Sequence, residues 1–350
     1  MTPSEAEVAS IAFITCLTLS PIVGAACKRL QLLDHPGPLK IHNRPIPRLG
    51  GVAIAISIAA AMLVAGHFEL HSSLVVVGFA LVWSTGLLDD IRSLPPSVRL
   101  ISQIVAAFLL WHAGYGFPDV LGEIPGLIAT AFAVIVLVNS WNFVDGADGL
   151  AAGLAAIAAL AFFVASGRAQ GSVAATLAVS VAAACGGFLV WNFAPAKLFM
   201  GDAGSTLLGF GIAFFALDFY RSNPASSSVA LFPIFVAALP VLDAGLAITR
   251  RFRHARPVVQ GDRCHSYDLL LARGWQSRNV ALVFFALASV LSGVGWLALL
   301  TRRTMFLLVG ALVLAIVFVA AIALGSLGHT ESTVHSEART PEIISSRSSD

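Results

Sequence analysis

The sequence predicts an all-α protein that crosses a membrane about eleven times. Of its 350 residues, 57% are hydrophobic and 11% are charged, whereas about a quarter of the residues of a soluble domain are charged. The mean hydropathy is +0.86, and apolar stretches long enough to cross a hydrocarbon core of about 30 Å recur along the whole chain. Because so few ionisable groups cannot cover a water-soluble surface, we expect one large helical bundle in a membrane.

Eleven apolar segments define the expected helices. The second and third are short and rich in Ala and Gly, so the count falls to ten if one of them is re-entrant. We expect one transmembrane domain over residues 1–325 and a disordered, Ser- and Thr-rich tail over 326–350. The expected spans are 8–27, 51–66, 73–88, 98–113, 124–140, 149–166, 173–193, 204–219, 228–249, 279–300 and 304–325.

The distribution of basic residues predicts the orientation. If each loop takes the number of the segment before it, the odd-numbered loops carry fifteen of the 21 Lys and Arg residues and the even-numbered loops carry four. Cytoplasmic loops of membrane proteins carry the excess of Lys and Arg. We therefore expect an inner (plasma) membrane protein with cytoplasmic odd loops, an external N-terminus and an internal tail. A net charge of +2 gives no indication of nucleic-acid binding.

Acidic residues lie in the odd loops or at the helix ends that face them. Asp89 and Asp90 directly follow an apolar segment, and Asp145, Asp148 and Asp202 lie close to glycines in loops 5 and 7. Adjacent carboxylates repel each other unless a cation lies beside them, although a solvated pair at a helix end is the alternative for the first two. Oxygen ligands that leave positions open for substrate phosphates are what Mg²⁺ requires.

Groups that bind phosphate are expected on the same face. In the segment 201–205, two glycines before a helix favour a tight turn that exposes amide groups to a phosphate. Cations near carboxylates that bind Mg²⁺ suit a diphosphate substrate that meets a lipid phosphate, although positive-inside topology by itself explains most of these charges. The basic residues of loops 1 and 9 in question are Lys40, His42, Arg44, Arg48, Arg256, Arg263 and His265.

Five motifs follow one another along the chain. They are KIHNRPIPRLGG, GLLDD, NSWNFVDGADGLAAG, FMGDAGS and an Arg- and His-rich last cytoplasmic loop, and they cover about residues 28–275. In order and spacing the chain resembles the polyprenyl-phosphate N-acetylhexosamine-1-phosphate transferases of glycosyltransferase family 4. That family includes the phospho-MurNAc-pentapeptide translocase and the GlcNAc-1-phosphate transferases.

The resemblance implies a fold, substrates and a cofactor. The fold would have ten or eleven helices and a cytoplasmic active site. The enzyme would depend on Mg²⁺, with Mn²⁺ as an alternative, and would move N-acetylhexosamine 1-phosphate from a UDP-sugar to undecaprenyl or another polyprenyl phosphate, with release of UMP. The sequence leaves open whether the protein is a homodimer.

The resemblance also implies residue roles. Asp202 would bind Mg²⁺, Asp148 would read the uracil and Asp145 would organise the nucleotide pocket. The expected catalytic residues are Asp89, Asp90, Asn142, Asp202 and His265, and the expected metal ligands are Asp89, Asn142 and Asp202. The expected substrate-binding residues are Lys40, His42, Arg48, Asn139, Asp145, Asp148, Arg256 and Arg263. Asp243, three residues after Pro240 in an apolar helix, matches a further family feature and is a functional candidate without a named role.

Loop 9 departs from the family pattern. The GlcNAc and MurNAc-pentapeptide enzymes have an H-x-H or HHH segment there, whereas this chain has DRCHSYD with a single His265. This version resembles the branch that starts O-antigen or other surface-glycan synthesis, some members of which prefer 6-deoxy-N-acetylhexosamines. The expected reaction is the first membrane step of such a pathway, and phospho-MurNAc-pentapeptide transfer in peptidoglycan synthesis is the alternative.

Two other classes of function are alternatives to an enzyme. Eleven helices and Asp243 would suit a secondary transporter, but transport predicts polar sites at the bilayer midplane. A membrane scaffold has no use for five acids on one face. The acids lie at helix ends on one side, so the sequence favours the enzyme.

Overall fold

The computed structural model describes residues 4–37, 40, 42–66, 70–117, 121–166, 172–223, 227–257 and 262–328. These residues form a helical bundle with one small antiparallel strand pair. The elements are α1 (Glu5–Arg29), β1 (Leu33–Asp34), β2 (Ile46–Pro47), α2 (Gly50–Ala65), α3 (Leu70–Ile91), α4 (Pro96–His112), α5 (Glu123–Val144), α6 (Leu150–Ala165), α7 (Val173–Asn192), α8 (Gly201–Ser222), α9 (Ser227–Arg253), α10 (Ser266–Ala272), α11 (Ser277–Thr301) and α12 (Thr304–Ala323).

Each of the eleven predicted segments coincides with a long helix, so the all-α polytopic architecture is confirmed. Among the described residues, eight helices are long and apolar enough to cross a membrane, while α2 and α6 are apolar but shorter. The number of crossings therefore stays a prediction. The short α10 was not predicted, because seven residues give too little hydrophobic periodicity to detect.

The helices that reach the polar end of the bundle are longer than predicted. Helix α5 continues to Val144, α8 already begins at Gly201, and α9 continues to Arg253. Hydropathy marks only the apolar part of a helix, whereas backbone hydrogen bonding continues through the polar turns at its end. These extra turns carry Asn142 and Asp202, whose positions are therefore fixed by helices and not by loops.

Helix α8 lies at the centre of the bundle. Its side chains Leu208, Phe210, Ile212 and Phe214 have no exposed surface, and it packs against α2, α3, α5 and α6, among others. A helix that is apolar on all sides is stable only when other elements surround it. The start of α8 is consequently held on several sides at the polar end of the bundle.

Glycines allow α2 to approach the start of α8. The amides of Gly50 and Gly51 donate to the carbonyl oxygens of Phe199 and Met200, each at 2.8 Å. A Cβ atom at Gly51 would overlap the backbone of Gly204. Small residues let two helix backbones come this close inside a membrane, so this contact fixes the distance between loop 1 and α8.

The strand pair attaches loop 1 to loop 7. Asp34 pairs with Ile46 and Leu33 pairs with Pro47, and the carbonyl oxygen of Pro47 accepts the amide of Phe199 at 2.8 Å. At the other terminus, Ser326 is buried, although the sequence assigns it to the tail. Residues 329–350 of that predicted tail lie outside the described part of the chain.

We predict that Gly51→Ala destabilises the bundle. The added methyl group must displace the backbone of Gly204, and overpacking of this kind costs about 1–3 kcal/mol. Thermal unfolding of the detergent-purified protein should show a midpoint several degrees lower. The matched control is Gly293→Ala on α11, where a Cβ meets nothing within 4 Å. Equal midpoints for the two variants would contradict the close approach of α2 and α8.

Candidate active site

Polar residues from all five odd loops meet at one end of the bundle. The amide of Ala196 in loop 7 donates to Asp148 in loop 5 at 2.9 Å. The hydroxyl of Tyr267 in loop 9 donates to the carbonyl oxygen of Phe143 at 3.0 Å. Loop 3 contacts α8 through Asp90, and loop 1 joins loop 7 through the strand pair. The expectation that the odd loops share one face is therefore confirmed, while the compartment that this face meets stays a prediction.

Asp89 and Asp202 converge on one cation, Arg99. A single guanidinium nitrogen of Arg99 donates to Asp89 at 2.9 Å and to Asp202 at 3.3 Å. The second oxygen of Asp89 accepts the amide of Leu94 at 2.5 Å. From the sequence, Arg99 is only one of the loop charges. Pro95–Pro96 could have indicated its place, because a proline at the first helical position starts a helix. Arg99 then lies in the first turn of α4, at the level of Asp89.

Asn142 joins α5 to the start of α8. Its amide nitrogen donates to Asp202 at 2.8 Å and to the hydroxyl of Ser205 at 3.1 Å. With its nitrogen in this position, Asn142 has its amide oxygen turned away from the carboxylate of Asp202. Asn139, one turn earlier, donates instead to Gln103 on α4 at 2.8 Å. The structure thus brings Asn142 to the acidic cluster, which consists of Asp89 and Asp202. It places Asn139 in a contact between helices.

Asp90 caps the start of α8 from a different helix. Its two carboxylate oxygens accept the amides of Asp202 and Ala203, each at 3.0 Å, and its side chain is buried. The expectation that these two amides are free to meet a phosphate is therefore wrong, because a negatively charged side chain already satisfies them. Gly201 has a φ of 71° and leaves no room for a Cβ between Arg48 and Asp90. A direct role of Asp90 in catalysis stays a prediction.

Lys40 and His42 share a partner that the sequence did not reveal. Lys40 donates to one oxygen of Asp34 at 3.0 Å, and Nε2 of His42 lies 2.8 Å from the other. The His42 ring also meets the edge of Phe199. Asp34 lies on β1, so the strand pair sets the position of both predicted phosphate-binding residues.

Asp145 and Asp148 lie between loop 1 and the acidic cluster. Burial raises the pKa of Asp145 well above its usual range, and the negative charges of Asp202 and Asp90 raise it further. Burial also raises the pKa of Asp148, while the hydrogen bond from Ala196 opposes this shift. Compared with bulk water, these surroundings therefore favour the neutral, protonated form of both carboxyl groups.

His265 is held by Asp243, whose role the sequence left open. Nδ1 of His265 lies 2.6 Å from one oxygen of Asp243, and the amide of Ser266 donates to the other oxygen at 2.7 Å. The ring stacks on Tyr267 with a centroid distance of 5.4 Å. Burial by itself lowers the pKa of His265, but the hydrogen bond and charge of Asp243 outweigh it, so the pKa is raised above the usual value.

Further arginines pair with acids of loop 9. Arg250 donates to both oxygens of Asp262 at 3.1 and 2.7 Å, and Arg251 lies over the ring of Phe143 at 5.1 Å. Arg263 forms an ion pair with Asp268 at 2.9 Å. From the sequence, the first two are only two of the basic residues of loop 9, because the predicted helix ends at residue 249, whereas α9 continues to Arg253. For Arg256 the structure gives a half-buried residue whose amide donates to Arg251 at 2.9 Å.

A small cavity joins the acidic and basic sides. Its volume is about 240 Å³. Asn142 and Arg99 line one side, and Arg251, Arg263 and His265 line another. Asp262 and Asp268 also line the cavity and pair with Arg251 and Arg263. Three arginines and a histidine outnumber these two acids, which favours the binding of phosphate groups.

The donor set fits a hydrated divalent cation. Among the described residues, no three His, Cys, Asp or Glu side chains form a complete metal-binding group. Asp89 and Asp202 nevertheless both contact the guanidinium group of Arg99, and the side-chain amide of Asn142 lies beside them. Mg²⁺ is commonly held by one or two carboxylates, with waters and substrate phosphates as the remaining ligands. The acidic cluster has this composition.

Comparison with known proteins decides the family. Residues 72–220 match the model of glycosyl transferase family 4. The chain is 31% identical to a probable undecaprenyl-phosphate N-acetylglucosaminyl 1-phosphate transferase of Bacillus subtilis over 81% of each chain. It is also 31% identical to the decaprenyl-phosphate N-acetylglucosaminephosphotransferase of Mycobacterium tuberculosis, over 87% of this chain and 85% of the relative.

The chain belongs to the polyprenyl-phosphate N-acetylhexosamine-1-phosphate transferases. A third relative, the undecaprenyl-phosphate alpha-N-acetylglucosaminyl 1-phosphate transferase of Escherichia coli K12, is 30% identical over 77% of each chain. The resemblance that the five motifs indicated is confirmed, and so is the enzyme class, a phosphotransferase. The family is generally dependent on divalent metals, in agreement with the composition of the acidic cluster. Membership of the O-antigen branch stays a prediction.

We predict that Asp90→Asn destabilises this transferase. An asparagine offers one acceptor oxygen where the start of α8 needs two, and a buried amide left without a partner costs about 1–3 kcal/mol. The midpoint of thermal unfolding should fall. Asp202→Asn is the control, because it leaves both amides capped by Asp90 and should stay close to wild type. A normal midpoint for Asp90→Asn would show that the cap contributes nothing to stability.

Proposed function

We propose that this transferase moves N-acetylhexosamine 1-phosphate from a UDP-sugar to undecaprenyl or another polyprenyl phosphate and releases UMP. The proposal combines the family membership with one observation: a cavity of about 240 Å³ is lined by Arg99 and Asn142, which both contact Asp202, and by Arg251, Arg263 and His265. A diphosphate bridged to the acids and contacted by the basic residues would fit this charge pattern.

The residues Asp89, Asp202 and Asn142 would hold Mg²⁺, or Mn²⁺ in its place. When bound there, such a cation would supply neutralisation of charge on the diphosphate and on the UMP that leaves. Asp90 keeps Asp202 in position through the cap of α8. Asp89 would therefore position the cation. It would not act as a base, since a lipid phosphate is already largely ionised at neutral pH.

Basic residues of three elements would bind the phosphates. Arg251, Arg263 and His265 come from α9 and loop 9, and Arg99 comes from α4. An oxygen of the lipid phosphate attacks the β-phosphorus of the donor, the bond to the bridging oxygen breaks, and UMP leaves with that oxygen. The sugar keeps its bond to the transferred phosphate, so the anomeric carbon does not react. Positioning and charge account for most of the catalysis of such a step.

Loops 1, 5 and 7 would bind the nucleotide. One oxygen of Asp148 accepts the amide of Ala196, which leaves the other for the N3–H group of uracil. Lys40 and His42, fixed by Asp34, would approach the donor phosphates. Arg48 and Asp145 would shape this pocket, while Asn139 and Arg256 are proposed to act from its margin.

The sugar and the pathway are proposed from loop 9. The single His265 favours a donor of the kind that starts O-antigen or other surface-glycan synthesis, with N-acetylglucosamine, the sugar in the names of the relatives, as the reference donor. The polar end of the bundle would face the cytoplasm of the inner membrane, with the N-terminus outside, as the distribution of Lys and Arg indicates. Turnover of purified protein with a panel of UDP-N-acetylhexosamines tests the choice of sugar.

We predict that Asp202→Asn lowers the rate of UMP release about 100-fold or more, since it removes a charge that supports the transition state. The measurement is UMP release with UDP-N-acetylglucosamine and polyprenyl phosphate at saturating Mg²⁺. Asp218→Asn, near the opposite end of the same helix, should keep wild-type activity. Near-normal turnover of Asp202→Asn would remove it from the metal site.

We predict that Asp243→Asn shifts the pH dependence of activity. Asp243 raises the pKa of His265 against the effect of burial, so its loss lowers that pKa. The cationic histidine then disappears at lower pH, and the fall of kcat/KM with rising pH should move to lower pH. The stability that the protonated histidine contributes is present below its unfolded pKa of about 6.5 and is lost as the pH rises through the folded value, so this loss should also begin earlier.

The retained contact with Ser266 and the variant His265→Gln are the controls for this shift. An asparagine can still accept the amide of Ser266 through its oxygen, so the start of α10 keeps its cap. His265→Gln should lack this limb of the profile altogether. A limb that is unchanged in Asp243→Asn, or still present in His265→Gln, would show that His265 does not titrate in the reaction.

A further inference from the structure

A second cavity lies at the polar end of the bundle, away from the candidate active site. Its volume is about 480 Å³, and it opens between the end of α1, strand β2 and the segment that follows α7. Of the basic residues considered for phosphate binding, Arg44 lines it, and the residues proposed above to hold the cation and the nucleotide do not. Its walls are formed by Ser20, Pro21, Gly24, Ala25, Lys28, Arg44, Pro45, Ile46, Pro47, Trp191, Ala196, Lys197 and Leu198.

The rim of this cavity is basic and its floor is apolar. Lys28, Arg44 and Lys197 come from three different elements and are all exposed. No acidic residue is among the described residues that line the cavity. Three cations without an acidic neighbour in the wall attract an anion, and the apolar floor favours a ligand that also carries hydrocarbon.

One wall is fixed by an unusual hydrogen bond. Pro21 lies inside α1 and has no amide hydrogen, so it cannot donate to the carbonyl oxygen of Leu17 as a helical residue would. The indole nitrogen of Trp191 donates to that oxygen at 2.9 Å. The nitrogen of Lys197 lies 5.7 Å from the Trp191 ring centroid. The ring and the lysine are therefore arranged before any ligand binds.

The cavity lies where the apolar surface of the bundle ends. Ile22 on α1 and Val190 on α7 are 63% and 57% exposed, as expected for side chains that contact lipid tails. Lys28 is in the last turn of α1. Trp and Lys at such a boundary are typical of residues at the level of lipid headgroups.

An apolar cavity lies on the other side of Lys197. It has a volume of about 690 Å³ and is lined by Leu189, Val190, Phe193 and Phe285, among others. Lys197 lines both cavities. A ligand with a phosphate in the basic cavity could therefore lay an acyl chain along the apolar one.

We propose that the basic cavity binds the headgroup of an anionic phospholipid. The phosphate contacts Lys28, Arg44 and Lys197, and the acyl chains follow the exposed apolar side chains of α1 and α7. The observations favour a lipid over free phosphate because the cavity opens at the edge of the apolar surface and has an apolar floor. This binding site is separate from the proposed transfer reaction.

Lipid binding at this place would reach the active site through two segments. Strand β2 in its wall accepts the amide of Phe199, two residues before α8. Ala196, also in its wall, donates to Asp148. A bound headgroup that bridges these segments holds loops 1 and 7 together, so anionic lipid stabilises the nucleotide side of the enzyme.

The test measures thermal unfolding of the full-length protein in nanodiscs. The discs contain phosphatidylcholine with increasing mole fractions of phosphatidylglycerol. We expect the midpoint of the wild type to rise and saturate. The variant Lys28→Gln/Lys197→Gln should need about 25-fold more phosphatidylglycerol for half of that rise, because each of the two basic side chains contributes a factor of about five near an anionic lipid. Its midpoint in pure phosphatidylcholine should equal that of the wild type.

The matched control is Arg29→Gln. Arg29 is adjacent to Lys28 in the same exposed last turn but does not line the cavity, so it should keep the wild-type response. An unchanged response of the double variant would overturn the proposal, and so would an equal loss in Arg29→Gln, which indicates general surface charge. Equal stabilisation by inorganic phosphate in pure phosphatidylcholine would also overturn it in favour of a free-phosphate site.

Discussion

The two hydrogen bonds from the start of α8 to Asp90 are the constraint on which the rest of the site depends. They join α3 to the central helix and determine where Asp202 lies relative to Asp89. A carboxylate at the start of a helix also meets the positive end of the helix dipole. Because other helices surround α8, Asp202 cannot move independently of them. A change at this cap therefore displaces Asp202. Catalytic geometry here is thus a property of packing inside the bundle.

Charge is arranged in pairs around the site. Arg99 contacts both Asp89 and Asp202, Asp34 holds Lys40 and His42, and Asp243 holds His265. Each pair supplies a partner for a group that would be costly to leave alone at the edge of a membrane. Around one cavity, Arg99 and Asn142 contact Asp202, while Arg251, Arg263 and His265 supply basic groups. This charge distribution suits a diphosphate between a cation and arginines.

The same arrangement argues against transport. A transporter would carry its polar site near the bilayer midplane, where helices are often interrupted. In the described part of this chain, the linked polar residues lie at the ends of α3, α5 and α9 and at the start of α8. Asp243 is the residue that most suggested transport, and its contacts with His265 and Ser266 make it a support for loop 9.

The sequence by itself determined the helical membrane architecture, the eleven apolar segments and the family, and it supplied most of the candidate residues of the site. Hydrophobic length and short motifs are local properties, so they can be recognised without coordinates. Only the tertiary structure decided the partners. Arg99 lies 103 residues from Asp202. Asp34 and Asp262 lie within 12 residues of their partners, but no local pattern distinguishes them from ordinary loop charges. The same holds for the capping role of Asp90, because its two partners are 112 and 113 residues away and meet it only when α3 and α8 pack together.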